Sequence, residues 1–211
     1  MIERPTTTET LNHGQPSVPR QSACVILLRD GEEGIEILLV RRNPRQRFMG
    51  GFWVFPGGAV DAGDGEGDGA HRAAAVRELE EEAGVSGVAP ADLVKYSRWI
   101  TPELIEIRFD TQFFLARVPE GVEARVDGAE CVDVRWTTPI RALEDHAGGG
   151  LALAFPTLRQ LDELSRLATV DELLARGRDR DVQPVQPKIV LTGETARVLL
   201  PGEPGYDASV P

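Results

Sequence analysis

The segment that most constrains this chain is Arg77-Glu78-Leu79-Glu80-Glu81-Glu82-Ala83-Gly84-Val85, which closes an alanine-rich stretch beginning near residue 70. Alanine and long unbranched side chains favour helix, and Gly84 stands where a left-handed residue ends one. The sequence predicts a helix over 70–83, with Asp68 as N-cap and Val76, Leu79 and Ala83 as the core stripe. Glu78, Glu81 and Glu82 then share one face at i, i+3 and i+4 spacing, where like charges repel by a few tenths of a kcal/mol per pair. The helix dipole adds to the conflict, because its last turn is already negative. Selection for helix stability alone would place Lys or Arg there. A divalent cation removes the conflict, since hard carboxylate oxygens suit Mg²⁺ or Mn²⁺. A solvated acidic face is the other reading of the same run, and the flanking residues decide between them.

Charge and composition narrow the function classes. The 211 residues hold 23 Lys and Arg against 34 Asp and Glu, a net charge of −11. Binding by phosphate neutralisation needs a basic face, so no nucleic-acid partner is expected. No apolar run approaches the ~20 residues of a membrane helix. Residues 1–20 lack the apolar segment of a secretory signal. A cytoplasmic protein with no membrane partner is the expectation. Cys24 and Cys131 lie in apolar stretches and suit reduced, buried thiols. The expected organisation is a flexible tail over 1–20, one domain over 21–206 with a C-terminal helical extension, and a tail over 207–211.

Strands are predicted at 23–28 and 35–40, joined as a hairpin, and at 52–55, 95–100, 108–118 and 131–136. Thr138-Pro139 opens a short helix. Thr157-x-x-Gln160 and Thr169-x-x-Glu172 both match a capping box and predict two more. Short strands near 188–191 and 196–199 finish the chain.

Phe55-Pro56-Gly57-Gly58 followed by Arg77-Glu78-Leu79-x-Glu81-Glu82-x-Gly84-Val85 resembles the Nudix box. The second half matches that pattern at every specified position. The first half departs from it: the acid after Gly58 is Asp64 instead of Glu. Twelve residues then separate Asp64 from Arg77 where the family pattern has seven. The Gly-rich stretch 65–69 is read as the five-residue insertion.

The resemblance implies an α/β/α sandwich with a mixed β-sheet and a loop–helix–loop metal platform. It also implies a metal-dependent pyrophosphohydrolase that cleaves a nucleoside diphosphate linked to another moiety. By carry-over, Glu78, Glu81 and Glu82 are catalytic and ligate Mg²⁺ or Mn²⁺, the Gly58 carbonyl joins them, and Arg77 orients or neutralises one of them. The general base is one of the helix glutamates, or Glu130 or Asp133 in a segment resembling the family's E-x-x-E-x-R-W element. Arg41, Arg42, Arg45 and Arg47 crowd one stretch of an acidic chain, where Arg forks would match substrate phosphates. A solvated basic loop is the alternative for them.

The approach Leu38-Leu39-Val40-Arg41-Arg42, with Arg47 and the F-P-G-G turn, loosely resembles the coenzyme A-specific branch of the family. Trp99-Ile100-Thr101-Pro102 and the stretch 108–114 resemble it too, which adds Trp99 and Arg108 to the substrate-binding candidates. Core packing is the alternative for the aromatic residues. Coenzyme A or acyl-coenzyme A, ADP-ribose, NADH and dinucleoside polyphosphates are the candidate substrates. The family often dimerises, so a homodimer is one arrangement open to the chain. A non-catalytic Nudix-fold nucleotide sensor and a plain acidic α/β domain remain as alternatives.

Overall fold

A computed structural model describes residues 10–126, 128–192 and 195–207. The ends of the two expected tails, 1–9 and 208–211, lie outside the described residues. Strands β1 (Arg20–Gly31) and β2 (Gly34–Arg42) form the expected hairpin, with Leu28 opposite Ile37. Both are covered on both faces, which is why they read as near-continuous apolar runs rather than as an alternation. Ala23, Val25, Leu27, Leu38 and Val40 enter one core layer, and Ile26, Leu28, Ile35, Ile37 and Leu39 enter the other.

The chain continues through β3 (Trp53–Val54), β4 (Gly57–Ala59), α1 (Gly67–Ala83), β5 (Val94–Ile100) and β6 (Phe109–Arg117). It then forms β7 (Cys131–Thr137), α2 (Pro139–Ala147), α3 (Phe155–Leu164), α4 (Val170–Arg178) and β8 (Pro184–Val185). A separate hairpin, β9 (Lys188–Thr192) and β10 (Thr195–Leu199), follows. The main sheet has eight strands in the order β3-β2-β1-β6-β5-β8, with β4 paired to β1 and β7 to β2. It is mixed, because β1 runs parallel to β6 while β5 and β6 are antiparallel. Strand β4 therefore runs the same way as β5, and α1 is the crossover that such a connection needs. Helix α1 covers one face of the sheet, and α2, α3 and α4 cover the other, giving the expected α/β/α sandwich. Among the described residues no helix is long and apolar enough to cross a membrane.

Several local expectations shift. Helix α1 begins at Gly67, its N-cap is Glu66, and Asp68 sits inside the first turn. There Asp68 accepts from Arg72 Nε and lies at the positive end of the helix dipole. Helix α3 starts at Phe155, with Pro156 in its first turn, so Thr157 is buried inside the helix and is not a cap. Thr169 does cap α4, accepting from the Glu172 amide. Residues 10–19, expected as tail, lie along the 101–108 loop: Leu11 pairs with Ile105, and the Asn12 amide donates to the Leu104 carbonyl.

Candidate active site

Two segments meet at the C-terminal half of α1. The first is β4, which the sequence did not predict because a three-residue strand holding two glycines carries almost no pattern. It pairs with β1 through Cys24–Gly57, Ala23–Gly58 and Ser22–Ala59. The second is the end of β2 with the loop that follows it. Helix α1 stops at Gly84, whose φ of 62° is the left-handed conformation that a Cβ would disfavour. The Gly84 amide donates to the Glu80 carbonyl and the Val85 amide to the Leu79 carbonyl, closing the last turn. Leu79 and Ala83 are fully buried, so the other side of that turn faces β4.

Glu82 points inward. It is 2% exposed, and its Oε2 accepts from the Gly57 amide at 2.9 Å. Its Oε1 lies 3.5 Å from the Arg42 guanidinium, and the nearby Cys131 thiol favours its charged form. Burial is the largest influence on this carboxyl and pushes its pKa up to about 7, against the opposing pull of the Gly57 amide and Arg42. Glu78 is raised as well, again chiefly by burial, with added repulsion from Glu81 and Glu130. Its carboxylate lies directly against Gly58: a Cβ built there would sit 2.4 Å from Oε1.

Arg77 organises the remainder. Its Nε and NH2 grip Asp64 at 3.1 and 2.9 Å, its NH1 reaches Glu78 at 2.8 Å and Glu81 at 3.1 Å, and NH2 also donates to the Ala59 carbonyl. Asp64 is held below the usual carboxylate range, first by its hydrogen bonds from Arg77. Asp64 also accepts from the Asp61 amide in the short turn Ala62–Asp64. The displaced acid of the box thus stands beside Arg77 despite the longer spacing.

The structure separates the other candidates. Glu130 lies close enough to Glu78 to repel it, and its carbonyl accepts from the Asn43 amide. Asp133 pairs with Arg41 in the β2–β7 register. Its neighbours Val134 and Trp136 pack on the α1 side, so Asp133 projects to the other face of the sheet. Arg42, expected to meet substrate, turns instead to Glu82, and its Nε donates to the Phe48 carbonyl. Arg41 and Arg47 are exposed. Arg108 is buried and donates to the Ser17 and Thr101 carbonyls, which gives it a packing role rather than an open one. Trp99 is buried on the α3 side, edge-on to Phe155 at 6.2 Å. The Gly57 amide and the Cys131 thiol are contacts that sequence reasoning missed. The F-P-G-G turn was the available signal for the first, and nothing signalled the second.

Among the described residues no three His, Cys, Asp or Glu side chains stand at metal-holding spacing. The partners explain why: Glu81 turns to Arg77, Glu78 is shared with Arg77, and Glu82 faces Gly57. Glu81 is largely exposed and can rotate toward the other two. The donor set itself suits a hard divalent cation. Two carboxylates raised by burial and mutual repulsion, with a third beside them, are stabilised by added positive charge.

Comparison with known proteins shows the family of the chain. The NUDIX domain profile matches residues 18–154. The chain is 27% identical to putative nudix hydrolase 7 of Caenorhabditis elegans, over 74% of this chain and 64% of that protein, so it spans less than two thirds of that relative. It is 25% identical to the human acyl-coenzyme A diphosphatase NUDT19, over 82% of this chain and 73% of the human protein. The crystal structure of a NUDIX hydrolase from Alicyclobacillus acidocaldarius superposes with a TM-score of 0.67 at 28% identity, covering 75% of this chain and 96% of the other.

Proposed function

Because this chain belongs to the Nudix family, we propose that it is a metal-dependent pyrophosphohydrolase that cleaves the diphosphate of coenzyme A or acyl-coenzyme A. The observation that carries the reading is the crowding of Glu78, Glu81 and Glu82 onto the last turns of α1, with Arg77 gripping the outer two and Gly58 leaving room for Glu78. Glu78, Glu81 and Glu82 would hold Mg²⁺ or Mn²⁺, with the Gly58 carbonyl beside them. Such an ion neutralises the diphosphate and lowers the pKa of an attacking water.

The chain's own residues do the positioning. Arg77, clamped by Asp64, sets the directions of Glu78 and Glu81. Arg42 keeps a positive charge beside buried Glu82 and braces the following loop at Phe48. That loop carries Arg45 and Arg47, whose forks suit phosphate oxygens. Glu130, near enough to repel Glu78, is the favoured base outside the helix; Asp133 projects to the wrong face for that task. The similarity to an acyl-coenzyme A diphosphatase supports the substrate choice.

The test is a panel of coenzyme A, acyl-coenzyme A, ADP-ribose, NADH and a dinucleoside polyphosphate, with Mg²⁺ or Mn²⁺ and with EDTA. Wild type should split coenzyme A into two phosphorylated fragments and stop in EDTA. Glu82→Gln should lose at least about a hundredfold in kcat/KM, roughly 2.7 kcal/mol of transition-state stabilisation. Full turnover by Glu82→Gln, or in excess EDTA, would refute the assignment.

A further inference from the structure

The loop that joins β2 to β3 holds its chain in a strained shape. Among the described residues Met49 alone takes a positive φ, 52°, without being glycine. Bulky side chains leave that left-handed region unless their surroundings hold them there, and such positions cluster at functional sites. Here backbone contacts hold the loop. The Arg42 amide donates to the Phe52 carbonyl and the Gly51 amide to the Arg42 carbonyl, which closes the loop at its base. The Phe52 amide donates to the Met49 carbonyl at 3.1 Å. Gly50 is pressed against the first half of the loop: a Cβ there would sit 2.6 Å from the Gln46 carbonyl oxygen and 2.9 Å from that of Pro44. Asn43 fastens the other side. Its amide and its Nδ2 donate to the Glu130 and Ala129 carbonyls, and its Oδ1 accepts from the Arg45 amide.

The peptide unit between Phe48 and Met49 turns with the φ of Met49. With both ends of the loop fixed, that angle decides where the Phe48 carbonyl points. It points at Arg42, whose Nε donates to it at 3.2 Å. A guanidinium is planar, so one bond at Nε sets the plane of the whole fork. The far end of this fork, NH1, lies 3.5 Å from Oε1 of Glu82, whose side chain is 3% exposed. An arginine at the end of a strand otherwise samples many rotamers. The Phe48 carbonyl removes that freedom and keeps the positive charge on the buried carboxylate. A loop with ordinary φ at residue 49 would turn the carbonyl away and release the arginine.

We propose that Met49 is a positioning residue of the carboxylate site: its left-handed backbone turns the Phe48 carbonyl onto Arg42 and thereby aims Arg42 at Glu82. What matters at this position is the backbone conformation and not the thioether. The proposal deepens the hydrolytic reading and rests on it for its kinetic consequences. The placement of Arg42 is a property of the chain without metal or substrate, and is tested as such.

Two substitutions of similar size separate backbone from side chain, because Asn enters the left-handed region readily and Val does not. The first readout is nuclear magnetic resonance of the full chain without metal. The Arg42 Nε–H signal, assigned by its absence from Arg42→Gln, should be protected from solvent exchange in wild type and in Met49→Asn, and unprotected in Met49→Val. The second is turnover of coenzyme A with Mg²⁺. Met49→Asn should stay within about threefold of wild type in kcat. Met49→Val and Arg42→Gln should each lose about tenfold, the scale of one charged hydrogen bond. The double variant Met49→Val/Arg42→Gln should lose no more than about twofold beyond Arg42→Gln alone, because residues that act through one contact are not additive. A protected Arg42 Nε–H in a wild type that turns over none of the panel substrates would sink the hydrolytic reading and leave the placement of Arg42 standing. The proposal is overturned by an unprotected Nε–H in wild type, or by equal losses in Met49→Asn and Met49→Val, which would assign the effect to the thioether. Additive losses in the double variant would also overturn it, by giving Met49 a route that bypasses Arg42.

Discussion

Gly57 and Gly58 are neighbours in sequence, yet alanine should do opposite things at the two positions. At Gly58 the new Cβ would sit 2.4 Å from Glu78 Oε1 and Cδ and 2.6 Å from Oε2. All three atoms are the far end of a flexible side chain. Restoring ordinary contact, which begins at 3.4 Å, moves the carboxylate by about 1 Å. The fold should tolerate this. A partly exposed Arg77–Glu78 pair is weakened by up to about 1 kcal/mol, while the Gly→Ala change restricts the unfolded chain by about 0.4–1 kcal/mol. Catalysis should not tolerate it, since a misplacement of about 1 Å can cost on the order of a hundredfold. At Gly57 the Cβ would meet backbone: the Ala23 carbonyl oxygen at 2.3 Å and Cys24 Cα at 2.6 Å. Relief there opens the β1–β4 pairing and pulls the Gly57 amide from Glu82. Overpacking of about 1–3 kcal/mol adds to about 1.5–3 kcal/mol for the charged hydrogen bond. Gly57→Ala should therefore lose about 2.5–6 kcal/mol in urea unfolding. Gly58→Ala should stay within about 1 kcal/mol of wild type, yet lose about a hundredfold in kcat/KM and bind Mn²⁺ more weakly by electron paramagnetic resonance. Wild-type turnover by a folded Gly58→Ala protein, or wild-type stability of Gly57→Ala, would refute the geometric reasoning.

Other outcomes follow from the same contacts. Asp64→Asn removes the carboxylate that clamps Arg77, so turnover should fall about tenfold, by analogy with the loss of one charged hydrogen bond. Unchanged kinetics in that variant would make Asp64 a bystander. Asp110, paired with Arg98 at 2.8 and 2.6 Å, is held below its usual 3.8 chiefly by those hydrogen bonds. A lowered native pKa means that the unfolded chain takes up the proton first as pH falls. The pair's contribution is thus complete above the unfolded value and disappears as pH drops through the native one. Asp110→Asn should cost about 2 kcal/mol at pH 7, and the gap to wild type should narrow below about pH 4. A gap that holds constant from pH 7 to pH 3 in urea titrations would contradict this.

The helix that carries the site was legible because its signals are local. Alanines, long acidic side chains and a closing glycine define α1 without reference to anything distant, and the i, i+3, i+4 spacing alone puts three carboxylates on one face. The buried β1–β2 hairpin was legible for a related reason, since a strand covered on both sides shows an uninterrupted apolar run. What the sequence hid depends on contacts between distant residues. Arg42, Arg45 and Arg47 look alike in the chain, but only Arg42 stands on the α1 face at the end of β2, where buried Glu82 takes its charge. Glu130 and Asp133 belong to one motif-like stretch. A shift in register between Arg41 and Arg42, where β2 meets β7, accompanies their separation, and only Glu130 ends near Glu78.

Asp64 shows how far spacing can mislead. Counted along the chain it is five residues too far from Arg77, and the pattern gives no reason to join them. In three dimensions the extra residues do not lengthen the path between the two. Gly65 and Gly67 take positive φ, turning the chain, and the segment from Gly67 onward is wound into the first turn of α1. At 1.5 Å per residue, helix absorbs added chain with little displacement of what lies beyond it. Both oxygens of Asp64 therefore still meet the Arg77 fork. The interaction constrains the partner's position in space, and the insertion is accommodated where backbone can coil without moving either end. The same logic explains why the acid can be the shorter Asp: the turn Ala62–Asp64 brings its backbone close enough that the reach of a Glu side chain is not required.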